Sequence, residues 1–380
     1  MEEVRKIIKA IKVRLFPTQE QEILMFKSIG CSRFTYNWAL NRCKKLHKEG
    51  CKYSMSAIKK EFTKLKKEDE YQWLNEVSNT TMVECMRNLD KAFKSFFKKK
   101  SSYPKFKSKK KSSQSFYVRY EHLYFKNDTC NIEKIGKVKY KTNYNMPNCA
   151  YKNPYCSYDG KYWYLSFGFE QNENQVELNK DLSIGIDLGV KDLAIANVLE
   201  KPIININKTK KVKKIKKRLR RLQRQISRKY EANRKGNQYI KTQNIFKLEK
   251  QIKLLHRKLN NIRNNHLHQA TNKIVKLRPY RVVMENLNLS GMMKNKHLSK
   301  AIQEQKFYEF IRQMKYKCEF NRIEFVQVDR FYPSSKKCSY CGEIKTNLKL
   351  KERIYECIHC GLIIDRDKNA SINLGNYGLV

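Results

Sequence analysis

Three short stretches of this 380-residue chain put carboxylates where an isolated charge is costly. In "LSIGIDLGVKDLAIA", residues 182–196, apolar runs flank a Gly-bearing turn and read as two paired strands at the centre of a domain, with Asp187 inside the first. An ionised carboxylate on a buried strand is strongly disfavoured unless something pairs with it. In "RPYRVVMENLNLSG", residues 281–284 read as a buried strand and Glu285 emerges at its end. In "GLIIDRDKNASINL", Asp365 and Asp367 precede a short helix holding Ala370, Ile372 and Leu374. Taken singly, each acid has an ordinary role as a turn residue, a strand end or a helix cap. Taken together, acids at the ends of neighbouring strands and on a helix flank converge, and such a cluster repels itself unless cations sit in it. Hard oxygen ligands suit Mg²⁺. Two such ions roughly 4 Å apart would stabilise the attacking water and the leaving oxygen of a phosphodiester. Spacing alone does not separate Asp367 from Asp365 as the third acid.

A second constellation lies between the last two acidic stretches. Cys338-x₂-Cys341-x₁₅-Cys357-x₂-Cys360 has each pair followed by a glycine, Gly342 and Gly361, as a tight knuckle needs. Four thiolates close a tetrahedral Zn²⁺ site with no open position, so one structural zinc is expected, with His359 a bystander. The other eight cysteines are scattered, which suits free thiols in a reducing compartment.

Charge bounds the partners. Eighty-two Lys and Arg face 36 Asp and Glu, a formal +46 that self-repulsion makes unfavourable unless a polyanion neutralises it. Nucleic acid is the natural polyanion. A membrane role is disfavoured, because no stretch approaches the ~18 apolar residues of a spanning helix and the N-terminus has no signal-peptide core. The chain is therefore expected to be soluble and intracellular.

Elements must hold these groups in place. Residues 5–16 alternate like an edge strand, with Ile11, Val13 and Leu15 on one face. Helical text follows Pro17 and is expected to stop at Gly30, restart, and stop again at Gly50, with further helices from Ser54 and after Ser78, about four in all. Residues 98–111 carry eight Lys and no acid around Tyr103 and Phe106: either a solvated loop or a backbone-contacting segment with a stacking platform, including Lys105 and Lys107. Strand-like runs after residue 112 suggest a small antiparallel barrel that the N-terminal strand completes. From about 181 the text alternates apolar strands with long helices. Residues 208–224 hold eleven cations, Lys213, Lys217, Arg220 and Arg224 among them, yet keep the apolar stripe Val212, Ile215, Leu219, Leu222, Ile226. A second stripe runs through Leu248, Ile252, Leu255, Leu259 and Ile262. Two amphipathic helices with basic outer faces can pack on a sheet and line a nucleic-acid channel.

These stretches, in this order, resemble a known family, the TnpB (OrfB) proteins of insertion sequences, RNA-guided DNA endonucleases and ancestors of type V CRISPR effectors. The resemblance covers nearly the whole chain. It rests on "KVRLFPTQEQ", "CSRFTYNWAL" and "YPKFKSKKKSSQSF", then "GIDLGVKDLAI", "VVMENLNLSGMMKN", "FYPSSKKCSYCG", "YECIHCG" and "DRDKNASINL". It implies an α+β multidomain chain. Residues 1–16 and 112–180 would form a wedge β-barrel and 17–111 a helical recognition lobe. Residues 181–333 and 365–380 would form a RuvC-like nuclease of RNase H fold, interrupted by a zinc ribbon at 334–364. The implied catalytic acids, holding Mg²⁺, are Asp187, Glu285 and Asp367. Residues resembling those that read a short DNA motif beside the target are Tyr53, Asn79, Thr80 and Val83. The implied partners are a guide RNA, from the transposon end or a CRISPR-like array, and target double-stranded DNA, with one protein per RNA in a prokaryotic, nucleoid-associated cytoplasmic setting. A compact CRISPR-associated effector of the same lineage and a non-catalytic, zinc-containing RNA-guided DNA-binding protein are the alternatives.

Overall fold

The computed structural model describes residues 5–173, 176–349 and 352–378, and the chain divides into two compact units, Lys6–Gln171 and Asn172–Val380 with Met1–Arg5. It is an α+β chain of several substructures.

The first unit is built on strand β1 (Lys6–Phe16). Helices α1 (Gln19–Lys48), α2 (Met55–Leu65) and α3 (Asn79–Phe97) follow, and then strands β2 (Ser115–Tyr117), β3 (Tyr124–Lys126), β4 (Thr129–Ile132), β5 (Gly136–Lys141), β6 (Lys152–Tyr158) and β7 (Trp163–Asn172). The seven strands form one sheet in the order β2-β6-β7-β1-β5-β4-β3. The first strand is therefore central, not an edge as expected. Alternating burial of Ile11, Val13 and Leu15 reports which face meets the core, and that signal is the same for an edge strand and a middle one. Its core face joins Trp163, Leu165, Phe167 and Phe169 of β7, with Met25 and Ile29 of α1 packed on them.

The expected helix break at Gly30 does not occur. Thr18 and Gln21 form a reciprocal capping box, and the helix runs thirty residues from there through Gly30. A mid-helix glycine costs only about 1 kcal/mol, less than the burial of Ile29, Cys31 and Tyr36 on either side stabilises. Ser54 caps α2, accepting from the Ala57 N–H at 3.4 Å, and α3 begins after Ser78, both as expected. Their apolar stripes close a separate helical core around Leu40, Ile58, Phe62, Met82, Met86 and Leu89.

In the second unit, β8 (Asn179–Leu188) and β9 (Ala194–Ala196) form the expected antiparallel pair, with Asp187 opposite Ile195. Helix α4 (Lys210–Ala232), a short hairpin of β10 (Arg234–Lys235) and β11 (Gln238–Tyr239), and α5 (Gln243–Val275) lead to β12 (Pro279–Glu285). Helices α6 (Leu289–Met292), α7 (Ser299–Gln305) and α8 (Phe307–Phe320) then lead to β13 (Glu324–Val328). Strands β14 (Ile354–Glu356) and β15 (Ile363–Asp365) precede helix α9 (Arg366–Gly375). The sheet order is β13-β12-β8-β9, with β12 parallel to both β13 and β8. One face, carrying Ile184, Ile186, Val282 and Met284, packs on Leu267 and Ile274 of α5 and on Phe307, Phe310 and Met314 of α8. Val283 turns to the opposite face and joins Leu374 of α9. Only the later part of α5 reaches the sheet; its earlier part packs with α4 through Val212, Ile215, Leu219, Leu255 and Leu259. Among the described residues no helix is long and apolar enough to cross a membrane.

Candidate active site and metal centre

Strand periodicity decides where the acids point. Side chains alternate between faces, so Ser183, Gly185 and Asp187 share the face of β8 opposite Ile184 and Ile186. Helix α9 lies on that face. The Ser183 hydroxyl donates to the Gly375 carbonyl at 2.7 Å, and Arg281, from β12, reaches the same carbonyl at 3.4 Å, a cation at a helix C-terminus. Gly185 permits the approach. A Cβ there would stand 2.0 Å from the Ser371 carbonyl oxygen and 2.2 Å from the Gly375 nitrogen, so only glycine lets the helix backbone lie against the strand.

On β12, Met284 pairs with Ile186, so Glu285 and Asp187 are the next residues on adjacent parallel strands. Both face the side on which α9 begins, and α9 carries Asp367 in its first turn. The three acids are in electrostatic contact. Desolvation pushes the Asp187 carboxyl well above the usual carboxylate range, the charges of Glu285 and Asp367 raise it further, and Arg366 opposes them. Ser334 donates a hydrogen bond to Oε1 of Glu285. Arg353 and Arg366 approach Asp367 at 3.6 and 3.5 Å.

Asp365 is engaged otherwise. As the N-cap of α9, its Oδ1 accepts the backbone N–H groups of Asp367 and Lys368, both at 3.0 Å. The pair left open by spacing is thereby divided into a capping acid and an acid beside Asp187.

The four cysteines converge. Their sulfurs all lie within 4.8 Å of one another, with 3.6 Å between Cys338 and Cys360 and between Cys341 and Cys357. Zn–S bonds of about 2.3 Å at tetrahedral angles set sulfurs about 3.8 Å apart, so the donor set fits zinc. Gly342 and Gly361 take the left-handed conformations of the two knuckles, with φ of 81° and 72°. Backbone N–H groups of Cys360 and His359 draw the Cys357 thiol down to about 6, whereas Cys341 and Cys360 are raised despite their backbone bonds, by burial and by hydrogen bonds from the neighbouring sulfurs. His359 is exposed and outside the cluster. Among the described residues this is the one group of three or more such ligands that converges this tightly. The charges that Glu285 and Asp367 add beside the buried Asp187 are the excess that a hard cation would neutralise.

Sequence reasoning missed the residues that join the two centres. Asn369 and Asn373 are buried in α9, and their side-chain amides donate to the Lys337 carbonyl at 2.7 and 2.6 Å; Asn373 also reaches the Ser334 carbonyl at 2.8 Å. The Asn369 carbonyl oxygen accepts the Ser339 N–H at 3.0 Å. Lys368 donates to the carbonyls of Ala196, Asn197 and Leu199, fastening α9 beyond the end of β9. Two asparagines four apart in a short helix were the available signal, together with a glycine inside an apolar strand.

The other candidates spread over both units. Tyr53 is half-buried against Phe93, ring centroids 4.9 Å apart, on an aromatic cavity of about 850 Å³. Asn79 and Thr80 lie in the first turn of α3, where the Asn79 side-chain oxygen accepts from Lys66 at 3.2 Å, and Val83 opens the second turn. Lys105 is exposed, whereas the Lys107 ammonium sits 3.9 Å from the Tyr36 ring centroid, its pKa lowered by burial. Lys213, Lys217, Arg220 and Arg224 are exposed on α4.

Comparison with known proteins adds the following. Residues 1–52 match a "Helix-turn-helix domain" profile (OrfB_IS605), residues 166–296 a "Probable transposase" profile (OrfB_IS605), and residues 307–374 a "Cas12f1-like, TNB domain" profile. A "Putative RNA-guided DNA endonuclease" of Streptomyces pristinaespiralis is 30% identical over 99% of this chain and 90% of its own length. InsQ of Escherichia coli (strain K12), which bears the same description, is 27% identical over 97% and 92%. Among solved structures, the Cas12f1 chain of a Cas12f1–sgRNA–target DNA complex superposes with a TM-score of 0.58 at 14% identity, covering 98% of this chain and 99% of that one.

Proposed function

Because the chain belongs to the TnpB (OrfB) family, we propose that it is an RNA-guided DNA endonuclease that hydrolyses phosphodiester bonds in target DNA through a RuvC-like centre. One observation carries this reading: Asp187 and Glu285 share one face of the sheet with Asp367 on the helix that packs there, and the Asp187 carboxyl is raised by burial and then by the charges of the other two. Mg²⁺ held by Asp187, Glu285 and Asp367, two ions by this reading, would supply charge stabilisation at the attacking and leaving oxygens when bound. The protein's own part is positioning. Ser334 orients Glu285, α9 sets Asp367, and Arg353 and Arg366 hold cationic charge where a phosphate would approach.

In the same reading one structural Zn²⁺ occupies Cys338, Cys341, Cys357 and Cys360, in a ribbon at 334–364. The sheet at 1–16 and 112–180 acts as a wedge barrel, the helices at 17–111 as a recognition lobe, and 181–333 with 365–380 as an RNase H-type nuclease. Tyr53, Asn79, Thr80 and Val83 would read a short DNA motif. Lys105, Lys107, Lys213, Lys217, Arg220 and Arg224 would contact a guide RNA derived from the transposon end or a CRISPR-like array, or the target double-stranded DNA. The protein would act as one copy per RNA in the prokaryotic cytoplasm, associated with the nucleoid. The net charge of +46 supports polyanionic partners.

The test expresses the chain with its native flanking DNA, sequences the RNA that copurifies, and offers a matched plasmid in Mg²⁺. Cutting that disappears in Asp187→Ala, with RNA retained, is the expected result. Comparable cutting by Asp187→Ala would overturn this assignment of the centre.

A further inference from the structure

Helices α4 and α5 leave the sheet as an arm, and its charges are arranged with unusual one-sidedness. Between Glu200 and Glu285 the sequence has only two acids, Glu231 and Glu249. Both are taken up at the tip. Glu231 accepts from the Tyr239 hydroxyl at 3.3 Å, and Glu249 accepts from Lys241 at 2.6 Å and from the Tyr230 hydroxyl at 2.5 Å. Along the arm the two helices border a groove of about 890 Å³ that includes Lys214, Lys217, Arg220, Arg221, Arg224 and Arg228. No acid lines that groove. From Lys214 to Arg228 the helix rises about 21 Å at 1.5 Å per residue. At about 3.4 Å per phosphate along a strand, that length faces about six phosphates.

The tip carries a different chemistry. Gly236, at φ +56°, turns the β10–β11 hairpin, and Tyr239 is 49% exposed. Its ring stands edge-on to Tyr230 at 5.9 Å and 80°, a geometry that supports the ring while leaving it accessible, and Arg234 lies 5.9 Å from its centroid. The hydroxyl bond to Glu231 fixes its orientation in advance. A rigid aromatic flanked by cations at the end of a basic groove matches a surface that stacks a base while binding the adjoining backbone. Protein-binding surfaces, by contrast, are depleted in Lys.

We propose that the arm seats the end of a double-helical nucleic-acid stem, the groove taking phosphates of one strand and Tyr239 stacking on the terminal base pair. The proposal rests on the nucleic-acid-binding reading above and extends it to a site that neither the acids nor the zinc cluster requires.

The test uses the full-length protein in EDTA, so cleavage has no part in it. The probe is a blunt RNA duplex of about twelve base pairs with 2-aminopurine at its terminal pair, alongside the same duplex in DNA and an RNA version closed by loops at both ends. Binding to wild-type protein should change the 2-aminopurine fluorescence. Tyr239→Ala should abolish that change and weaken binding of the blunt probe about five-fold or more, while Tyr239→Phe, which keeps the ring and loses the bond to Glu231, retains the fluorescence change with a smaller loss of affinity. Arg220→Gln with Arg224→Gln should reduce the slope of log affinity against log salt by about two and leave the fluorescence change at saturation intact. The looped probe should not respond to Tyr239→Ala. A response with RNA alone supports an RNA stem as the occupant, and equal responses support a helix end of either sugar. A fluorescence change unaltered by Tyr239→Ala overturns the proposal and leaves the tip to a protein partner. Failure of wild-type protein to bind any of the probes would instead sink the nucleic-acid reading beneath it.

Discussion

Gly185→Ala is the smallest change that separates the geometry of the acids from their presence. The substitution adds one methyl group 2.0 Å from the Ser371 carbonyl oxygen and 2.2 Å from the Gly375 nitrogen, both backbone atoms of α9. Real Cβ atoms essentially never come within 3.0 Å of a heavy atom outside their own residue and its chain neighbours, so strand and helix must part by at least 1.0 Å. Backbone cannot yield as a flexible side chain would. Overpacking of this kind costs about 1–3 kcal/mol of stability, a lowering of a few degrees in melting temperature that leaves the fold intact. Catalysis should suffer more. Asp367 rides on α9, and a displacement of about 1 Å at a catalytic group can cost about 100-fold in rate. The assay is cleavage of a matched plasmid by the copurified protein–RNA complex, with melting temperature and zinc content measured on the same samples. A rate at least 100-fold down, with RNA and zinc retained, is expected. A rate within five-fold of wild type would refute the claim that close β8–α9 packing sets the acid geometry.

Cys338→Ser or Cys357→Ser should bring zinc content toward zero and reduce cleavage with it, since structural metal binding is folding free energy; elemental analysis beside the cleavage assay reads both. Asp365→Ala removes a helix cap and should cost about 1 kcal/mol of stability while keeping most activity, whereas Asp367→Ala should abolish cleavage; equal losses would mean the two roles are wrongly divided. Burial lowers Lys317, bonded to Thr271 and the His268 carbonyl, to about 8. The unfolded chain, titrating near 10.5, then binds the extra proton between pH 8 and 10.5, so this group's contribution to stability rises with pH across that window by up to about 3 kcal/mol; denaturant titrations of Lys317→Met and wild type should differ least near pH 10 and most below pH 8.

The parts legible in the sequence are those written in local text. The β8–β9 pair shows as two apolar runs around a turn, α2 as a capped apolar stripe, α3 as an apolar stripe after Ser78, and the cysteine cluster as two C-x₂-C knuckles with their glycines. What stayed hidden depends on neighbours distant in the chain. Whether β1 is an edge or a centre is decided by pairing with β5 and β7, more than a hundred residues on, and nothing within residues 6–16 encodes it. Gly30 carries the same letter as a true helix terminus, but here buried residues on both sides outweigh its propensity. Asp365 and Asp367 differ by which of them meets the freed N–H groups of α9, a matter of two residues that spacing does not resolve.

Helix α9 also explains why a four-cysteine cluster interrupts the acid-bearing core just before its last acid. A ten-residue helix is too short to be stable alone, so its position must come from packing and from anchors at its ends. The structure supplies anchors on three sides: Lys368 to the chain beyond β9, Ser183 and Arg281 to the Gly375 carbonyl, and Asn369 with Asn373 to the backbone beside Cys338. The last of these is only as firm as the knuckle it grips, and a knuckle of four thiols is firm only when a metal closes it. The same segment supplies Ser334, which holds Glu285. Two of the three acids are thereby oriented from the one stretch that the four cysteines gather, while Asp187 is held by the sheet itself. Loss of zinc should accordingly disturb Asp367 and Glu285 together and leave the β8–β12 pairing untouched.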